Sequence, residues 1–97
     1  MRVLIAFNEP VLPSTHPEAD SEHAILDVVT AIVSRLEGRS VALSQCGVGR
    51  DLAAFRDVLQ SVQPDVVLNL FEGFGDDPNS EIRFAQLLED EGYIDIV

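Results

Sequence analysis

The chain has 97 residues, a formal net charge of −11, six cations that are all arginine, and one cysteine, Cys46. That length suits one small domain, here residues 1–97, whose core has little margin. Such an acidic chain is repelled by nucleic acid and anionic membranes, and without lysine it cannot build the usual P-loop. A single cysteine excludes an internal disulfide and a cysteine metal cluster.

Residues 2–7 form a continuous apolar run with β-branched members, which predicts a first strand buried on both faces. The run is too short for a signal peptide and ends at Asn8-Glu9-Pro10 without a small-residue cleavage site, so a cytoplasmic protein is expected. A loop with prolines at 10, 13 and 17 follows. Asp20 or Ser21 is expected to cap a helix whose apolar face is Ile25, Val28, Val29, Ile32 and Leu36, ended by Gly38. Ser40 to Ser44 reads as a short second strand.

Asp51 caps a second predicted helix with a buried face of Leu52, Phe55, Leu59 and Val62, broken at Pro64-Asp65. Val66 to Leu70 is the third strand. Asp77-Pro78 is expected to open the third helix, with proline at the favoured first position and Ile82, Ala85 and Leu88 on its apolar face, flanked by Phe84 and Leu87. Gly92 ends that helix, and Tyr93 to Val97 reads as a fourth strand.

The order β-α-β-α-β-α-β predicts an α/β, three-layer domain with a four-stranded parallel sheet. Right-handed crossovers give strand order 2-1-3-4 and a topological switch point between the first and third strands. Ligands of such sheets collect at the carboxyl ends of the strands, beside that point. Asn8, Glu9, Glu22, Asn69, Glu72, Asp76 and Asp77 all fall at strand ends or helix starts. Their carboxylates suit an ammonium group or a divalent cation. The plainer account is that Glu22, Asp76 and Asp77 cap helices and complement their dipoles. Glu72 sits mid-turn and caps nothing evident.

Other signals are weaker. His16 and His23 flank an acidic loop, which reads as mobile surface more readily than as a metal site. Gly47-Val48-Gly49 is a fragment of a dinucleotide fingerprint, but it follows the second strand rather than the first. Cys46 has no histidine placed to activate it. A two-component receiver domain is excluded: its third strand ends in aspartate, here Asn69, and it needs a lysine.

Pro64-Asp65-Val66-Val67-Leu68-Asn69-Leu70-Phe71-Glu72-Gly73, then Ser80-Glu81 and Leu87-Leu88-Glu89, resemble the N-terminal, pre-ATP-grasp domain of the D-alanine–D-alanine ligase family. Arg2-Val3-Leu4-Ile5, Ser21-Glu22-His23 and Gly47-Val48-Gly49-Arg50-Asp51-Leu52 fit the same order, so the resemblance covers nearly the whole chain. It implies ATP-dependent ligation of a carboxylate to an amine through an acyl phosphate. This domain would supply one wall of the site for a small amino-acid-like substrate, with Glu22, Asn69 and Glu72 as substrate-binding residues. No catalytic residue, metal ligand or cofactor-binding residue is assigned to this chain. ATP and magnesium belong to further ATP-grasp domains, so the chain alone is expected to be inactive. The segment after Gly92 lacks the family's proline, and the Gly38-Arg39-Ser40-Val41 region is short, which suggests an excised or redesigned domain. The other readings are a stand-alone or engineered binding or assembly module that keeps the fold without the reaction, and a small acidic protein that binds metal or amines through the turn carboxylates. The isolated domain is expected to self-associate, because apolar surface and the edge at Tyr93, Ile94, Ile96 and Val97 lose the cover of neighbouring domains.

Overall fold

A computed structural model describes residues 1–9, 15 and 19–93, with backbone alone for residues 19–23. The elements are β1 (Arg2–Asn8), α1 (Ala19–Leu36), β2 (Ala42–Val48), α2 (Leu52–Val62), β3 (Val66–Asn69) and α3 (Ser80–Asp90). The strands pair in parallel in the order β2-β1-β3. This matches the expected parallel α/β order for the first three strands, with the switch point between β1 and β3. Of the fourth strand expected over 93–97, residues 94–97 lie outside the described residues.

The apolar run of β1 is buried because both of its faces are covered. Leu4 and Ala6 point into one core, with Val48, Val67, Phe55 and Leu59 of α2, and Phe84, Leu87 and Leu88 of α3. Ile5 and Phe7 point the other way, against Val29, Ile25 and Ile32 of α1 and Leu68 of β3. Thus α1 covers one face, and α2 and α3 cover the other. Phe84 sits between Phe55 and Phe71, with ring centroids 4.9 Å from each. Tilted rings at this distance add to the apolar burial.

Local signals set several ends as expected. Asp51 Oδ1 accepts the Ala53 N–H at 3.0 Å at the start of α2. Gln63 takes a left-handed conformation (φ 48°) before Pro64, which disfavours a further right-handed residue at that point. Gly38 and Gly92 follow α1 and α3 at φ 80° and 89°. At the far end of the sheet, the Arg2 N–H donates to Asp65 Oδ2 at 2.7 Å and the Asp65 N–H donates to the Arg2 carbonyl at 2.8 Å.

Three expectations are corrected. First, β2 is Ala42–Val48 rather than Ser40 to Ser44. β1 offers seven residues to pair, up to Asn8 with Val48, and an exposed sheet edge tolerates Gln45, Cys46 and Gly47. Second, α1 is described over Ala19–Leu36, so Asp20 and Ser21, the expected caps, lie inside the helix.

Third, α3 opens at Ser80 with Asn79 before it, not at Asp77-Pro78. The Asp77 N–H donates to the Phe74 carbonyl at 3.0 Å, and the Ser80 N–H to the Asp77 carbonyl at 3.1 Å, so residues 74–80 form successive turns. The helix is also rotated from its expected face. Ser80, Phe84, Leu87 and Leu88 are buried, while Ile82 is 64% exposed. This rotation buries Phe84, Leu87 and Leu88 together, which removes more apolar area from water than burying Ile82 and Ala85.

Candidate functional site

The carboxyl ends of β1 and β3 separate after the Leu70 N–H donates to the Ala6 carbonyl at 2.8 Å. Beyond that bond the chain turns through Phe71 to Asp77. Asn69 is buried, and its Oδ1 accepts the Phe71 N–H at 2.9 Å, which starts the turn. Asn8 then spans it: Oδ1 accepts the Glu72 N–H and Nδ2 donates to the Gly73 carbonyl, each at 2.7 Å. On the other side, the buried Ser80 hydroxyl accepts the Phe74 N–H at 2.8 Å and donates to the Asp77 carbonyl at 2.7 Å.

Gly73 is required at the crown of this turn. It has φ 80°, and a methyl there would stand 2.7 Å from Glu81 Cγ and 2.9 Å from Ser80 Oγ. Both the backbone angle and the space exclude a larger residue. The side chain of Glu72 is exposed, although its backbone N–H is held.

A cleft of about 600 Å³ opens beside this turn. Its walls include Ile25 and Val28 of α1, Ile82 and Ala85 of α3, and Leu70; its polar lining is Asn69, Glu72 and Glu81. α1 and α3 cover opposite faces of the sheet, and the cleft that both line opens at the carboxyl end of β3. The outer edge of β3 pairs with no strand among the described residues. Two carboxylates beside apolar walls suit a small ligand that joins an ammonium to an apolar portion.

The structure divides the seven residues expected to share one site. Asn69 and Glu72 line the cleft, and Asn8 holds their turn. Asp76 pairs instead with Arg50, and Asp77 with Arg83, both on the side of the turn towards α2. Glu9 lies over β2, where a methyl at Gly49 would stand 2.5 Å from Glu9 Oε2 and one at Gly47 3.3 Å from Glu9 Cβ. The two glycines therefore accommodate a carboxylate, which repels phosphate. Glu22 falls in α1, three residues before Ile25, and its side chain lies outside the described residues. His16 and the side chain of His23 lie outside them too.

Glu81 and Ser80 also contribute, and the pattern of carboxylates at strand ends does not mark them. Glu81 stands in the first turn of α3, a position that sequence alone explains by the helix dipole. Ser80 has no local signal, since its partner Phe74 precedes the helix.

Among the described residues no group of three or more histidines, cysteines or carboxylates is arranged to hold a metal ion. Burial, and then the charge of Glu9, push the Cys46 thiol above its ordinary pKa, which disfavours the thiolate a nucleophile needs. No helix among the described residues is long and apolar enough to cross a membrane.

Comparison with protein-family models, with curated proteins and with solved structures brings no match for this chain.

Proposed function

We propose that this chain is the substrate-side domain of an ATP-dependent carboxylate–amine ligase, of the D-alanine–D-alanine ligase kind. One observation carries the reading: the exposed Glu72 stands at the carboxyl end of the third strand, on a turn held from both sides, beside an apolar cleft. The ordered strand-and-turn motifs from Pro64 to Gly73 support it independently.

In this reading Glu72, with Glu22 from α1, attracts the ammonium of a small amino-acid-like substrate. Asn69 shapes the floor, and Ile25, Val28 and Ala85 meet the apolar portion. A fourth parallel strand over residues 93–97, along the outer edge of β3, completes the sheet in the order 2-1-3-4. ATP and magnesium would activate the substrate carboxylate as an acyl phosphate. Gly47 and Gly49, at the end of β2, do not fit a nucleotide phosphate, because Glu9 fills their space. Further ATP-grasp domains must supply that chemistry, and the protein would be cytoplasmic.

Titration of the isotope-labelled chain with D-alanine tests the reading. Amide shifts are expected at Glu72, Ile25 and Ala85, weak in affinity because one wall alone is present, and reduced in Glu72→Gln. Shifts absent from the cleft at high millimolar D-alanine would overturn it.

A second reading, an assembly module without the reaction, draws on Val28 and Ile82, which are 47% and 64% exposed on either side of the cleft. Exposed apolar side chains beside a strand edge that pairs with no strand among the described residues favour association with another copy. D-alanine titration separates the readings, because the ligase domain binds it and the module does not. Self-association that strengthens as salt screens the charge is expected of the isolated domain in either case, and a monomer at both low and high salt would remove that expectation.

A further inference from the structure

The strand ladder between β1 and β3 stops at Ala6, yet the turn beyond it is held in place. Asn8, 64 residues away from Glu72 in sequence, takes over the ladder with its side chain. Its oxygen accepts the Glu72 N–H and its nitrogen donates to the Gly73 carbonyl, both at 2.7 Å. The orientation of the amide follows from these partners. If it were reversed, an NH2 group would face an N–H and an oxygen would face a carbonyl.

Few side chains can do this. An aspartate offers acceptors alone when ionised, a leucine offers neither group, and a glutamine is one methylene longer. The opposite side of the turn is walled by Glu81 and Ser80 against Gly73, and Ser80 holds the Phe74 N–H. The peptide groups on either side of the 72–73 link, those joining residues 71–72 and 73–74, are thereby held. The direction in which Glu72 leaves the backbone is set by residues outside the turn itself.

We propose that Asn8 is a positioning residue, whose side-chain amide sets the Glu72 carboxylate at the cleft mouth for an ammonium-bearing substrate. The proposal rests on the ligase reading of the cleft. Asn8 would act through Glu72 and not by touching the substrate.

Two measurements on the full 97-residue chain test it. The first is amide hydrogen exchange, which needs no ligand. In Asn8→Leu, exchange at Glu72 should quicken about tenfold or more, while Ile5 and Leu68 in the sheet keep their protection. Asn8→Ala, which loses both the acceptor and the donor without adding an apolar branch, serves if the leucine variant does not fold. The second is D-alanine affinity in Asn8→Leu, Glu72→Gln and the double variant. Each single change should weaken binding, and the double variant should be no weaker than the worse single one, because both act through one carboxylate. Independent losses that multiply would overturn the positioning role. Unchanged exchange at Glu72 would overturn it whether or not D-alanine binds. Failure of the wild-type chain to bind D-alanine, with exchange altered as expected, would overturn the ligase reading and with it the substrate role, and leave Asn8 as a turn-holding residue.

Discussion

The Arg50 guanidinium carbon lies 4.5 Å from the centroid of the Phe74 ring. The same guanidinium donates to both carboxylate oxygens of Asp76, at 2.9 and 3.0 Å. Phe74 in turn meets Phe71 edge-on at 5.4 Å, and Phe71 meets Phe84. A line of side chains therefore runs from the core to the surface of the turn.

Removing Arg50 should loosen the turn modestly. Its cation–π contact is worth about 0.5–1 kcal/mol at an exposed site. The exposed ion pair adds about 0–1 kcal/mol and is screened by salt. Arg50→Ala should lower the urea midpoint by the equivalent of about 1 kcal/mol, and most of that loss should survive in high salt. A loss that vanishes in high salt would assign the effect to Asp76 alone.

Phe84 and Ile82 sit two positions apart on α3 and should differ sharply. Phe84→Ala empties the space between two rings and should cost about 3–5 kcal/mol. That is a large share of the stability of a domain this small. Ile82→Ser in the chain as described should stay within about 0.5 kcal/mol, since the side chain is already mostly in water. Paired denaturation curves check this. A large loss at Ile82 would mean that another segment or a second copy covers it.

Ser80→Ala leaves the Phe74 N–H buried without its acceptor. An unsatisfied buried donor costs about 1–3 kcal/mol. The expected signature is a lower melting temperature together with faster amide exchange at Phe74. Ser80→Thr keeps the hydroxyl but must fit an added methyl close to Gly73. Exchange at Phe74 identical in wild type and Ser80→Ala would remove the hydroxyl from this role.

Cys46 gives a pH dependence with a definite sign. Its folded pKa is raised, chiefly by burial and then by Glu9. Below the ordinary thiol value of about 8.5, both folded and unfolded chains carry the neutral thiol, and its contribution is fully present. As pH rises, the unfolded chain ionises first, so this contribution is lost as pH climbs through the folded value. Wild type should therefore lose more stability than Cys46→Ser between about pH 8 and 10. Alkylation of the folded thiol at about pH 8 should be slower than in the unfolded chain, and faster in Glu9→Gln than in wild type. Equal losses in the two proteins would show that the thiol titrates normally.

Much of the secondary structure was legible in the residues themselves. The unbroken apolar run of β1, the Asp51 cap, the 3.6-residue spacing of Phe55 and Leu59, and the glycines at 38 and 92 all act within a few residues of where they stand. They specify strand, helix and terminus without reference to the rest of the chain. Their order also implied the parallel sheet and its switch point, because handed crossovers leave few alternatives. The place of the candidate site, and Glu72 and Asn69 within it, followed from that order. What the tertiary structure alone decided depends on contacts between distant segments. Val48 belongs to β2 because Asn8 is there to pair with it. Leu88 is buried and Ile82 is not, because Phe55 and Phe71 draw the Phe84 ring inward. Asp76 and Asp77 leave the cleft because Arg50 and Arg83 stand across from them. Asn8 holds Glu72 because parallel strands bring together groups far apart in sequence, and no local pattern records which of them will carry the complementary donor and acceptor.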